Sequence, residues 1–132
     1  ALLPDSYLVL PEIISKEPLG PAVRRGDDEW FAIVKWTLNA LIEAEELGIT
    51  QARVDSLKAS PDPALQRFLG VGEDLGKSLG LDREWAARAV KAVGNYGEIF
   101  NRNVGADSPL KLPRGLNAQW NKGGILYAQP LR

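Results

Sequence analysis

The sequence predicts a predominantly α-helical chain with two or three short strands, and three observations carry that prediction. Apolar side chains recur at helical spacing at Phe31, Val34, Leu38, Leu41, Ile42 and Leu47, a stripe widened by Trp30, Ile33 and Trp36. Further on, short apolar stretches are separated by cap residues and glycines, as in a run of brief helices. Runs that suit a strand are short and lie near the N-terminus.

In chain order, residues 6–10, Ser-Tyr-Leu-Val-Leu, form an apolar run ahead of Pro11 and make the best strand candidate. Residues 12–17 follow and are interrupted at Pro18, Gly20 and Pro21. Prolines this dense do not fit a central strand, so the segment reads as an edge or a crossing between two places. Pro21, Ala22 and Val23 then run into Arg24 and Arg25 as a second extended piece, broken at Gly26. Asp27 or Asp28 can cap the first free amides of the helix that follows, and Asp28 and Glu29 place negative charge at the positive end of its dipole. That helix should run about 20 residues, near 30 Å, to a left-handed stop at Gly48. Its polar side is narrow (Glu29, Lys35, Asn39, Glu43, Glu46), so cover is expected on more than one side.

A second, shorter helix is expected from Thr50 as cap, with Val54 and Leu57 on its apolar side. Asp62 followed by Pro63 is the order of cap and first helical residue, which places a helix over 64–69 with its stop at Gly70. A helical turn is expected over 73–79 before Gly80. Asp82 should cap a helix over 83–93 whose inward side is Trp85, Ala86, Ala89, Val90 and Val93. Gly94 and Asn95 break or bend it, and Tyr96, Ile99 and Phe100 continue at helical spacing to Val104 and Gly105. Residues 106–132 carry three prolines and three glycines, with room for a turn or two of helix only over 116–120. This tail has no core of its own, so Leu110, Leu112, Leu116, Trp120, Ile125, Leu126, Tyr127 and Leu131 must pack on the helices or on polypeptide outside this sequence.

At 132 residues, 45% hydrophobic and 25% charged, the chain suits one ordinary globular domain. Its formal charge of -1, from 16 basic and 17 acidic residues interspersed, offers no basic face for nucleic acid. No apolar run approaches the ~20 residues that span a bilayer, and no signal-peptide pattern is present. Ala1 suggests processing, a cut or a boundary rather than a native start. Cysteine and histidine are both absent, which excludes a Cys- or His-ligated structural zinc site, a Cys nucleophile and a Ser-His-Asp triad supplied by this chain. No catalytic residue, metal ligand or cofactor site is expected.

Three local patterns reduce to structure. Residues 71–78, Val-Gly-Glu-Asp-Leu-Gly-Lys-Ser, end like a phosphate loop, but the first position is Val71, Glu73 and Asp74 put negative charge where phosphates would lie, and no strand precedes. Asp27, Asp28 and Glu29 are explained by capping rather than by metal or general-base chemistry. Arg24 and Arg25, neighbours on an extended segment, face opposite sides, so at most one can reach a cleft.

More specific than any of these is the succession Gly20-Pro21-Ala22-Val23-Arg24-Arg25-Gly26-Asp27-Asp28, a long helix, and Gly94-Asn95-Tyr96-Gly97-Glu98-Ile99-Phe100 with Asn101, Arg102 and Gly105. It resembles the C-terminal part of amino-acid-binding proteins of ABC importers. The general L-amino-acid-binding branch is most similar, through residues 10–21, 93–100 and Gly115-Leu116-Asn117-Ala118-Gln119-Trp120, and through an extra helical block over 49–92.

The resemblance implies an α/β periplasmic-binding-protein type II fold of which this chain is a C-terminal portion. Residues 1–19 would be the end of the second lobe and a hinge crossing, 20–105 the C-terminal part of the first lobe, and 106–132 a tail packed over the surface. It further implies capture of L-amino acids in the periplasm, delivery to an ABC permease of the inner membrane, and no catalysis. The family's principal ligand-gripping residues would precede Ala1, and only Ser15, Lys16 and Glu17 would lie near hinge and cleft. The chain by itself should self-associate or stay bound to the preceding polypeptide, because it would expose apolar positions. The alternative reading is a stand-alone helical domain whose apolar stripes dock a partner protein.

Overall fold

The computed structural model describes residues 6–8, 10–12, 14–15 and 17–131. Four helices, α1 (Asp28–Glu46), α2 (Pro63–Phe68), α3 (Trp85–Val93) and α4 (Tyr96–Asn103), are joined by 3-10 turns at Ser56–Ala59, Gly76–Leu79, Gly115–Asn117 and Trp120–Lys122. α1 is the axis, with α3 and α4 packed along it. Asp27 caps it as expected, its side chain accepting from the Trp30 amide at 3.1 Å. At the other end the Gly48 amide reaches the Glu45 carbonyl and the Ile49 amide the Ala44 carbonyl, with Gly48 at φ 67°. This is the paired 5→2 and 6→1 termination that a left-handed glycine permits, and Ile49 and Ala44 are both fully buried beside it.

The core joins Ala40 and Ala44 of α1 to Ile49, Val54, Phe68 and Leu69, to Trp85, Ala86, Ala87 and Val90 of α3, and to Leu131. α3 starts at Trp85 rather than at 83, although Asp82 still accepts an amide, that of Glu84 at 2.8 Å. Its inward face is rotated slightly from the expectation: Ala87 is buried, Ala89 is half-buried and Val93 is exposed.

The helix expected from Thr50 is instead a run of turns followed by Ser56–Ala59. Tertiary contacts explain this, because the Gln51 amide is taken by the Glu98 carboxylate at 3.0 Å and its side chain by the carbonyls of Lys91 and Ala92. The turn over 73–79 shortens to Gly76–Leu79. There Gly76 is buried with its Cα against the Asp82 carbonyl, where no Cβ would fit.

Strand expectations are corrected. Among the described residues the only pairing is an isolated parallel bridge between Gln119 and Leu126. Tyr7, Leu8 and Leu10 of the first candidate are exposed and unpaired, Val9 lies outside the described residues, and residues 21–25 are likewise unpaired. A strand exists through hydrogen bonds to a neighbour. None of the described backbone offers one to these segments.

Cover on more than one side of α1 is realised only in its C-terminal half, which holds the buried Ala40, Ile42 and Ala44. Near its start Trp30 and Phe31 are 52% and 53% exposed.

Candidate functional site

Of the residues expected near a cleft, Ser15 and Glu17 are exposed, and Lys16 lies outside the described residues. Among the described residues neither side chain has a hydrogen-bond or ion-pair partner, and the Glu17 carbonyl accepts only from the Leu19 amide at 2.8 Å. Against the expectation that these neighbours face opposite sides, Arg24 and Arg25 both line one hollow of about 500 Å³, but all its walls come from residues 24–29, a turn and the first residues of α1. A concavity built by one short contiguous stretch has no second element to fix a ligand.

A smaller cavity of about 140 Å³ lies between Trp36 of α1, Leu75, Ser78 and Leu79 of the turn region, Trp85 of α3 and Leu131. It has one polar side chain, Ser78, and reads as a seam of the core. The described residues contain no group of three or more acidic side chains placed to hold a metal ion.

The densest polar constellation sits where α1, α4 and the tail meet, and it accounts for the motif at residues 94–100. Gly94 turns at φ 82° and ends α3. Asn95 and Glu98 form a reciprocal capping box: the Asn95 side chain accepts the Glu98 amide at 3.0 Å and Glu98 accepts the Asn95 amide at 2.8 Å. The buried Asn95 amide group also donates to the Ile49 carbonyl at 2.9 Å, tying α4 to the end of α1.

Next comes Arg114. Its guanidinium meets both oxygens of Glu45 at 3.0 Å and donates twice to the Asn117 carbonyl, at 3.1 and 2.8 Å. It lies 5.5 Å from the Tyr96 ring centroid and 5.1 Å from that of Phe100. Gly97 leaves the space for this pair, since a Cβ there would stand 2.9 Å from Glu45 and 3.0 Å from Arg114.

The tail then runs back along α1. Gln119 donates to the Ile42 carbonyl, Trp120 to Glu46, and the amides of Gln129 and Leu131 to Asn39 and Glu43. Every one of these contacts orders the tail, and the constellation holds no acid-base pair with room for a substrate. Sequence reasoning missed Arg114 and Glu45, because they are 69 positions apart and each looks like an ordinary surface charge.

No family model matches the chain. It is 66% identical over 131 residues to the general L-amino acid-binding periplasmic protein AapJ of Rhizobium johnstonii, a match covering 98% of this chain and 38% of that protein. It is 53% identical over 135 residues to the glutamate/glutamine/aspartate/asparagine-binding protein BztA of Rhodobacter capsulatus, covering 100% and 40%. Among solved structures, an ABC transporter/periplasmic binding protein from Brucella ovis with glutathione bound superposes with a TM-score of 0.92 at 56% identity, over 98% of this chain and 41% of that one. The chain thus spans about two-fifths of the length of the proteins it matches.

Proposed function

We propose, from its homology to amino-acid-binding periplasmic proteins of ABC transporters, that this chain is a C-terminal portion of a solute receptor that captures L-amino acids in the periplasm. The observation that carries the reading is the agreement in both sequence and backbone, 56% identity with a TM-score of 0.92, across nearly the whole chain. In this reading the intact molecule has the two-lobed type II fold. Residues 1–19 end the second lobe and cross the hinge, residues 20–105 belong to the first lobe, and residues 106–132 lie over its surface. The described residues of the N-terminal strand candidates, unpaired here, fit this reading, since they would find their sheet neighbours in the other three-fifths of the receptor.

Ser15, Lys16 and Glu17 then lie beside the cleft, while the groups that grip the ligand belong to the rest of the receptor. Closure of the lobes about the crossing traps the solute, and the closed receptor delivers it to an ABC permease without chemistry on the solute. A glutathione-bound relative suits the same recognition chemistry. The γ-glutamyl end of that tripeptide keeps a free α-ammonium and α-carboxylate, the head group common to all free amino acids.

Thermal unfolding of the full-length receptor with each common amino acid, glutathione and a sugar tests this. A ligand that binds the native state raises the midpoint by mass action. Stabilisation by one or more amino acids supports the reading; stabilisation by the sugar alone overturns it.

The alternative, a stand-alone helical domain docking a partner protein, is favoured by Trp30 and Phe31 standing more than half exposed at the start of α1. Mass spectrometry of the protein from its source separates the two. A mature product of this length favours the interaction domain, and one about two and a half times as long favours the receptor.

A further inference from the structure

We propose that the cleft between the end of α1 and the C-terminal tail is a docking site for a cationic side chain, arginine or lysine, presented by a partner protein. The cleft is bounded by Glu43, Glu46 and Leu47 of α1's end and by Trp120, Tyr127 and Pro130 of the tail, with a volume of about 150 Å³. Two aromatic rings form its outer wall, edge to face at 6.0 Å and 63°. They remain 51% and 67% exposed, yet Trp120 is fixed by its indole N–H on Glu46 at 3.3 Å. Aromatic rings that stay half or more exposed, one of them held by a hydrogen bond, can attract ammonium and guanidinium groups.

Glu46 gives the cleft a carboxylate of the matching sign. α1 ends in carboxylates with no basic residue in its last turn, which places negative side chains at the negative end of the helix dipole. Arg114 answers Glu45, but among the described residues no basic side chain pairs with Glu46. A cation arriving from outside would meet that carboxylate, the dipole end and the ring faces together.

Size selects the source of the cation. Pockets that enclose free small molecules run to roughly 300–1,000 Å³, so an open cleft of about 150 Å³ suits one side chain carried on a larger surface. This inference stands apart from the transport reading, because it needs neither lobe closure nor an amino-acid ligand.

The test is an NMR titration of the full-length protein, labelled at tryptophan and tyrosine, with N-acetyl-argininamide and with the neutral N-acetyl-norleucinamide. The expected result is a saturating shift of the Trp120 indole and Tyr127 signals with the cationic probe only, weakened by about 0.5 M salt. Glu46→Gln, which keeps an acceptor for the Trp120 indole, should weaken the probe about threefold. If that variant loosens the tail, Tyr127→Ser serves instead, and the same loss of affinity is expected. No saturating shift, equal shifts with the neutral probe, or unchanged affinity in the Tyr127 variant would overturn the proposal.

Discussion

Replacing Arg114 by methionine should destabilise the fold by about 3 kcal/mol, a value that can be assembled from its contacts. The two bonds to Glu45 are charge-assisted and largely shielded, with side-chain exposures of 21% and 13%, so together with the bonds to Asn117 they contribute about 2 kcal/mol net. The Tyr96 and Phe100 rings beside the guanidinium add about 0.5 kcal/mol each. Methionine keeps much of the packing volume, so the loss reports the charge and its bonds. Glu45→Gln should cost about 1.5 kcal/mol, since an amide retains one acceptor for Arg114. The double variant should cost less than the sum by about 1.5 kcal/mol, because each single change removes the same interaction. Urea unfolding followed by circular dichroism gives all four corners of this cycle. A loss below about 1 kcal/mol for the Arg114 variant, or additivity within about 0.5 kcal/mol, would refute the assignment of this pair as the clasp between tail and helices.

Other perturbations separate the remaining contacts. Asn95→Ala should cost about 2 kcal/mol by thermal unfolding, while Asn95→Asp, which keeps the cap but loses the donor to Ile49, should fall between it and the wild type. Gly70→Ala should cost at least about 2 kcal/mol, because Gly70 sits at φ 72° and a Cβ would overlap the Arg83 carbonyl. The hydrogen bond from Lys91, with its charge, holds the exposed Asp55 carboxyl below the usual carboxylate range, and Asp55 holds Lys91 above the usual lysine range. The Asp55 contribution is therefore present above the ordinary carboxylate range and lost as pH falls through its lowered value; that of Lys91 is lost only as pH rises through its raised one. Thermal midpoints of the wild type and Asp55→Asn should accordingly differ by a small, constant amount between about pH 5 and pH 9 and converge in strong acid.

Local signals in the sequence located what local chemistry decides. Asp27 and Asp62 each cap the helix expected after them, and Gly48, Gly70 and Gly80 each stand in the left-handed region where an element stops. Where a distant group intervenes, local pattern misleads. Thr50 looks like a cap, but Glu98 and the end of α3 capture Gln51 before a helix can form. Residues 6–10 and 21–25 have strand composition, yet composition cannot supply a neighbouring strand. The motif at residues 94–100 was legible as a signature and opaque as a mechanism. Gly97 makes sense only once Glu45 and Arg114 are seen against it. The candidate cleft residues carry no such local imprint, since Ser15 and Glu17 touch nothing polar among the described residues and take their proposed place from homology alone.

The most direct measurement is a calorimetric titration of an amino acid into the separately produced remainder of the receptor, with and without this chain. The account predicts that Trp30, Phe31 and the exposed Tyr7, Leu8 and Leu10 are interior surfaces of the receptor. The two pieces should then associate one to one, and saturable amino-acid binding should appear only in the mixture. A chain that stays monomeric beside the remainder, or a remainder that binds the amino acid equally well alone, would contradict it.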